Sequence, residues 1–144
     1  MVVGDGKVGK TSLITAYGED RFPEEYIPTV ADNYKGKVEV ENDEIDLTIW
    51  DTAGQDEFSD LRPLSYNNAD VFVICFSLSD KESLDNAVDK WKKEIFHLGP
   101  SKDIPIVLCG TKSDLRDECN NNNLKSYKND KGEVSEIVQY EEGN

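Results

Sequence analysis

Positive charge is scarce in this chain: 16 Lys and Arg stand against 30 Asp and Glu, a net charge of −14 over 144 residues. So acidic a surface repels a phosphodiester backbone at long range, which argues against a nucleic acid polymer as partner. Long apolar runs are missing too. None approaches the ~20 residues of a spanning helix, and the mean hydropathy is −0.63, so no intrinsic membrane segment is expected. Cysteine is sparse and odd in number (Cys75, Cys109, Cys119), with no Cys-x-x-Cys pair, which argues against a disulfide framework. Cys75 and Cys109 sit in apolar runs and read as small buried hydrophobes. The single histidine, His97, falls near a helix end, where a surface position or a C-terminal capping role is the expectation. No basic-plus-apolar leader precedes the first motif, and the last residues, Tyr140-Glu-Glu-Gly-Asn144, form no prenylation signal. A cytoplasmic protein is expected.

What is present follows an α/β order. Val2-Val3 reads as the stub of a strand that enters a glycine-rich turn, and Lys10 to Tyr17 reads as a helix. Gly18 to Asn33 has no period and reads as a loop. Val38 and Val40, then Ile45, Leu47 and Ile49, alternate with polar residues on both sides of Asn42-Asp43, predicting a β-hairpin with one face buried. Val71–Phe76 and Ile106–Cys109 are unbroken apolar runs, as expected of strands covered on both faces. Between them Leu84, Val88, Trp91, Ile95 and Leu98 keep helical spacing, with Ser79-x-x-Glu82 as a capping box and Gly99-Pro100 as a stop. The architecture predicted is a mostly parallel open sheet with helices on both faces. Beyond Arg116 the Asn120–Asn123 run and a polar stretch read as a solvated insertion, and Ile137-Val138 is too brief to define an element.

Gly4-Asp5-Gly6-Lys7-Val8-Gly9-Lys10-Thr11 satisfies G-x-x-x-x-G-K-[ST] between a strand and a helix, with Ser12 following. A chance match is expected in roughly one chain of this length in two hundred. Its glycines let successive N–H groups turn inward as an anion nest, and the helix opening at Lys10 adds its positive end. Lys10 would reach the β- and γ-phosphates of a nucleotide, and the Thr11 hydroxyl would ligate Mg²⁺. Asp51-Thr-Ala-Gly54-Gln55 follows the second hairpin strand. Asp51 is placed to hold Mg²⁺ through water, Gly54 to present an N–H to a γ-phosphate, and Gln55 to orient an attacking water. Alone, Asp-x-x-Gly would be an ordinary turn. Thr111-Lys112-Ser-Asp114 follows the Ile106–Cys109 run. A carboxylate there matches the paired donors of guanine, which adenine lacks, and the Lys112 stem can lie along a base. All three segments fall at strand ends, where open sheets bind ligands.

With Pro28-Thr-Val, Leu61-Arg-Pro-Leu-Ser-Tyr66 and Cys75-Phe-Ser added, the chain resembles the small GTPases of the Ras superfamily and, within them, the Rho family in its Rac branch. The resemblance covers Val2 to about Glu142. It implies a P-loop GTPase fold, GTP/GDP and Mg²⁺ as ligands, hydrolysis of GTP to GDP, and a molecular switch acting on the cytoskeleton. It also implies exchange factors, GTPase-activating proteins and effector proteins as partners. By the same resemblance Thr29 ligates Mg²⁺ and senses the γ-phosphate, Phe22 packs against guanine, Tyr26 covers the phosphates and Gln55 is catalytic. Residues 26–34, which include Tyr26, Pro28, Thr29, Val30, Ala31, Asp32, Asn33 and Tyr34, become the effector switch, and residues 54–66 the second switch. Neither Arg21 nor Arg62 makes a convincing arginine finger, so slow turnover with activation in trans is expected.

Some positions depart from the family. Lys7 stands where relatives carry Ala or Gly, and Ala31 where Rho proteins place a large aromatic of the kind that anchors interfaces; weaker binding of Rac-type effectors follows. Relatives begin earlier and continue past Glu142 with further strand and helices. The expectation is therefore one GTPase domain over 1–144, incomplete at both ends, lacking the last strand and helices, with 116–132 as a Rho-type insert region. A non-enzymatic remnant that binds nucleotide weakly or not at all is the alternative. A P-loop ATPase or kinase is disfavoured by Asp114.

Overall fold

In a computed structural model the structure describes residues 1–25, 31–52, 54, 62–128 and 131–139. Strand β1 (Val2–Gly4) runs through the phosphate-loop sequence into helix α1 (Lys10–Glu19). The hairpin β2 (Ala31–Val40) and β3 (Asp43–Thr52) follows, then a 3-10 helix (Arg62–Asn68) and β4 (Phe72–Ser77). Next come α2 (Lys81–Asn86), a π-helix (Ala87–Lys92), α3 (Lys93–Leu98), β5 (Ile106–Thr111) and α4 (Ser113–Asn121). A small hairpin closes the series, β6 (Ser126–Lys128) with β7 (Val134–Glu136).

Five strands lie in the order β2-β3-β1-β4-β5, antiparallel only between β2 and β3. Period-two alternation splits their side chains between two cores. Met1, Val3, Phe72, Ile74 and Phe76 face one way, onto Leu84, Ala87, Trp91 and Ile95. Val2 and Cys75 face the other, with Val8 and Ile14 of the α1 side. Helices thus cover both faces, the mostly parallel α/β arrangement predicted from the sequence.

Several local expectations are corrected. Helix α1 extends through Glu19, so Gly18 is helical, and β2 begins at Ala31, inside the stretch read as loop. The hairpin turn is Glu41-Asn42, both at positive φ (50° and 74°), with Val40 paired to Asp43; a two-residue turn needs that backbone to match strand twist. Its buried face is real only near the base, since Val40 and Ile45 at the tip are exposed. Strand β5 is last in the sheet, and Val107 (52%) and Leu108 (44%) stand half exposed rather than covered on both faces. The capping residue of α2 is Asp80, whose Oδ1 accepts the Glu82 N–H, and not Ser79. Val88 and Leu98 point outward and Ala87 takes the buried stripe, because the π-helical turn re-phases the helix.

The largest surprise is in the tail. Asn120 and Asn121 are helical, and Ile137 and Val138 are among the most deeply buried side chains (1% and 0%). The Val138 N–H donates to the Leu78 carbonyl at 2.9 Å and the Ser135 hydroxyl to the Ser79 carbonyl at 2.7 Å. Two apolar residues are too short a signal for periodicity, but they cap the core at the end of β4. Among the described residues no helix is long and apolar enough to cross a membrane.

Candidate functional site

The ends of β1, β3 and β5 converge on the loop between Gly4 and Lys10. Gly9 caps α1 with φ 102°, a conformation open to glycine and costly for other residues. Its carbonyl accepts the Leu13 N–H at 2.9 Å. Lys7 also lies in the left-handed region (φ 66°), exposed to solvent. Val8 is buried and anchors the loop to the sheet. Lys10 is buried, its Nζ donating to the Gly4 carbonyl at 2.8 Å and the Asp5 carbonyl at 2.7 Å. The amine is therefore held at the mouth of the nest by the loop it serves.

From β3, Asp51 is buried, and its Oδ2 accepts the Thr11 hydroxyl at 2.5 Å. Thr52 ties the same strand end to β1, donating to the Val2 carbonyl at 2.7 Å. Thr11 and Asp51 thus bring together hard oxygen atoms of the kind suited to Mg²⁺. The residues present fit that ion. Gly54 is buried directly against the phosphate loop, and a Cβ there would collide with the Gly4 carbonyl, the Asp5 backbone and the Gly6 N–H. Glycine is required at this position by the close approach of two backbones.

From β5, Thr111 donates to the Val8 carbonyl at 2.5 Å, with the Phe76 carbonyl 3.0 Å away. The Lys112 Nζ donates to the Lys7 carbonyl at 2.7 Å. Desolvation lowers the Lys112 pKa from its ordinary value, opposed by Asp80 and Asp114. Thr111 and Lys112 thus brace the back of the phosphate loop. Asp114, in the first turn of α4, and Phe22 (74%) are exposed, open to a ligand but not in contact with each other in any described interaction.

The other proposed site residues divide. Ser12 lies in the first turn of α1. Asn33 is exposed on β2, whereas Tyr34 turns inward, its ring edge-on to Tyr17 with centroids 6.1 Å apart. Alternation along a strand puts neighbours on opposite faces, so Tyr34 is a packing residue beneath α1. Ala31 and Asp32 open β2. Tyr26, Pro28, Thr29, Val30 and Gln55 lie outside the described residues. Arg21 is exposed and paired with Glu19, and His97 Nδ1 lies 2.7 Å from the Lys93 carbonyl in the last turn of α3. Two contributors escaped the sequence reading: Asn86 and Trp91 both donate to the Asp5 carboxylate, each at 2.7 Å. Their spacing of five matches neither face of an α-helix, so no pattern flags it.

The chain matches the Ras family over residues 1–144. It is 50% identical over 118 residues to the Rho-related protein racC of Entamoeba histolytica, an overlap of 82% of this chain and 60% of that protein. The chain thus spans 60% of the length of this relative. Order, spacing and strand-end placement of the three loops have one common explanation: the chain belongs to the Ras family, among its Rho/Rac-like small GTPases.

Proposed function

We propose that this chain is a guanine-nucleotide-dependent switch that binds GTP and GDP with Mg²⁺ and hydrolyses GTP to GDP. The observation that carries the reading is the meeting of three strand ends on one loop, with Thr11 bonded to Asp51 and Lys112 bonded to Lys7. Phosphates would lie against the amides of residues 4–12, where Lys10 needs only to extend from the Gly4 and Asp5 carbonyls. Mg²⁺, held by Thr11 and Thr29 and through water by Asp51, would neutralise charge on the phosphate oxygens. Gln55 would orient the water, and Gly54 would offer its N–H. Phe22, Thr111, Lys112 and Asp114 would hold the base, Asp114 selecting guanine.

Residues 26–34 and 54–66 would be ordered by γ-phosphate contacts and released on hydrolysis. The 116–132 segment would be the Rho-type insert. Exchange factors, GTPase-activating proteins and effectors of cytoskeletal signalling would be its partners, in the cytoplasm. Titration with fluorescent GDP and GTP in Mg²⁺, with ATP as competitor, tests this. Sub-micromolar, guanine-selective binding is expected; no binding, with a broad non-cooperative melt, would overturn it in favour of an inactive remnant.

A further inference from the structure

Asp5 is held at both ends. Its backbone carbonyl accepts the Lys10 amine, while its side chain turns away from the nest toward the helix behind β4. There Oδ1 accepts the Trp91 indole N–H and Oδ2 the Asn86 amide, both at 2.7 Å. Bonds to an ionised carboxylate at this length are the strong kind. Trp91 is fully buried and its ring also carries the Lys90 ammonium 4.8 Å from the centroid.

The spacing of the two donors is the telling feature. On an α-helix residues five apart lie about 140° around the axis and cannot reach one carboxylate. Here Ala87–Lys92, which includes the residues between the two donors as well as Trp91 itself, is π-helical, and a π-turn brings i and i+5 close to one face. Such turns are frequent at functional sites. One turn further on, Glu94 accepts the hydroxyl of the fully buried Tyr66 at 3.0 Å. The same helix therefore touches the phosphate loop and the 3-10 helix that ends the 54–66 segment.

We propose that Asn86 and Trp91 are positioning residues for the phosphate loop: through Asp5 they fix the orientation of its amides and so set how long nucleotide stays bound. The proposal rests on the nucleotide reading above. It separates from simple core packing because Asn86→Asp removes the donor at nearly unchanged size, and the exchange with Asp5→Asn restores it; Trp91→Phe removes the indole N–H together with part of the buried ring.

The test uses Trp91→Phe, Asn86→Asp and the exchange Asp5→Asn with Asn86→Asp. The exchange reverses donor and acceptor between the two side chains and leaves an acceptor for the indole. Readouts are the release rate of fluorescent GDP in Mg²⁺, amide hydrogen exchange at residues 4–9 in the nucleotide-free chain, and thermal melts. Each single variant is expected to release GDP about tenfold faster and to exchange residues 4–9 faster. The exchanged pair should return to within about twofold of the parent. Parental release and parental exchange in the single variants, with only the melt lowered, would overturn the proposal. A parent chain that binds no GDP would instead overturn the nucleotide reading. The positioning role would then stand or fall on whether the single variants speed exchange at residues 4–9.

Discussion

The Thr11 hydroxyl and the Asp51 carboxylate, 40 positions apart in sequence, meet at 2.5 Å where α1 begins and β3 ends. The bond joins the start of α1, just after the glycine-rich loop, to the end of β3. A ligand that engages Thr11 therefore acts on Asp51 as well.

Removing the carboxylate charge at this contact should loosen the cation. Asp51→Asn is expected to raise the Mg²⁺ concentration needed to retain GDP by about 10–100-fold, and Thr11→Ser to preserve retention where Thr11→Ala does not. Release of fluorescent GDP against Mg²⁺ concentration measures both. An Asp51→Asn curve lying on the parental one would remove Asp51 from the cation site.

Gly54 has no room for a side chain. Gly54→Ala drives a methyl group into the backbone of residues 4–6, and overpacking of that kind destabilises by about 1–3 kcal/mol. A lower melting temperature is expected, by about 2–4 °C per kcal/mol for a domain near this size. An unchanged melt would mean that the two backbones do not approach so closely.

The tail should behave as core and the sheet edge as surface. Ile137→Ala is expected to cost about 2–5 kcal/mol, whereas Val107→Thr on β5 should stay within about 0.5 kcal/mol of the parent. Urea unfolding of the two variants decides. Equal losses would place the buried tail elsewhere.

Cys75 and Cys109 are partners in register on β4 and β5. The interaction with Cys109, and then burial, push the Cys75 thiol up, while the same interaction lowers the pKa of the half-buried Cys109 against the opposing effect of burial. Since the thiolate is the nucleophile, iodoacetamide near neutral pH should label Cys109 before Cys75, and labelling should slow as the pH falls. Mass spectrometry of the peptides gives the order. Cys75 labelled first would contradict it.

How much was legible depends on how local each signal is. The phosphate loop could be read because its glycines, Lys10 and Thr11 are contiguous, and their chemistry follows from residue type. The parallel strands could be read because burial demands unbroken apolar runs, and the helix behind β4 because burial on one face imposes periodicity. The exposed face of β5 could not, since Ile106–Cys109 is equally apolar whether or not something covers it. Asp5 looked like part of an anion nest because nothing in eight residues announces that its side chain points to a helix some 80 positions later.

Residue chemistry and spacing were thus enough to place the three segments in order at strand ends and to point to the family. Tertiary structure alone decided which groups touch: Thr11 with Asp51, Lys112 with the Lys7 carbonyl, Asp5 with Asn86 and Trp91, and Ile137 and Val138 with the core. The physical reason is range. Backbone preference and alternation act over a few residues and leave a trace in the order of amino acids. A hydrogen bond across the sheet depends on register and on a single π-helical turn, which no short pattern records.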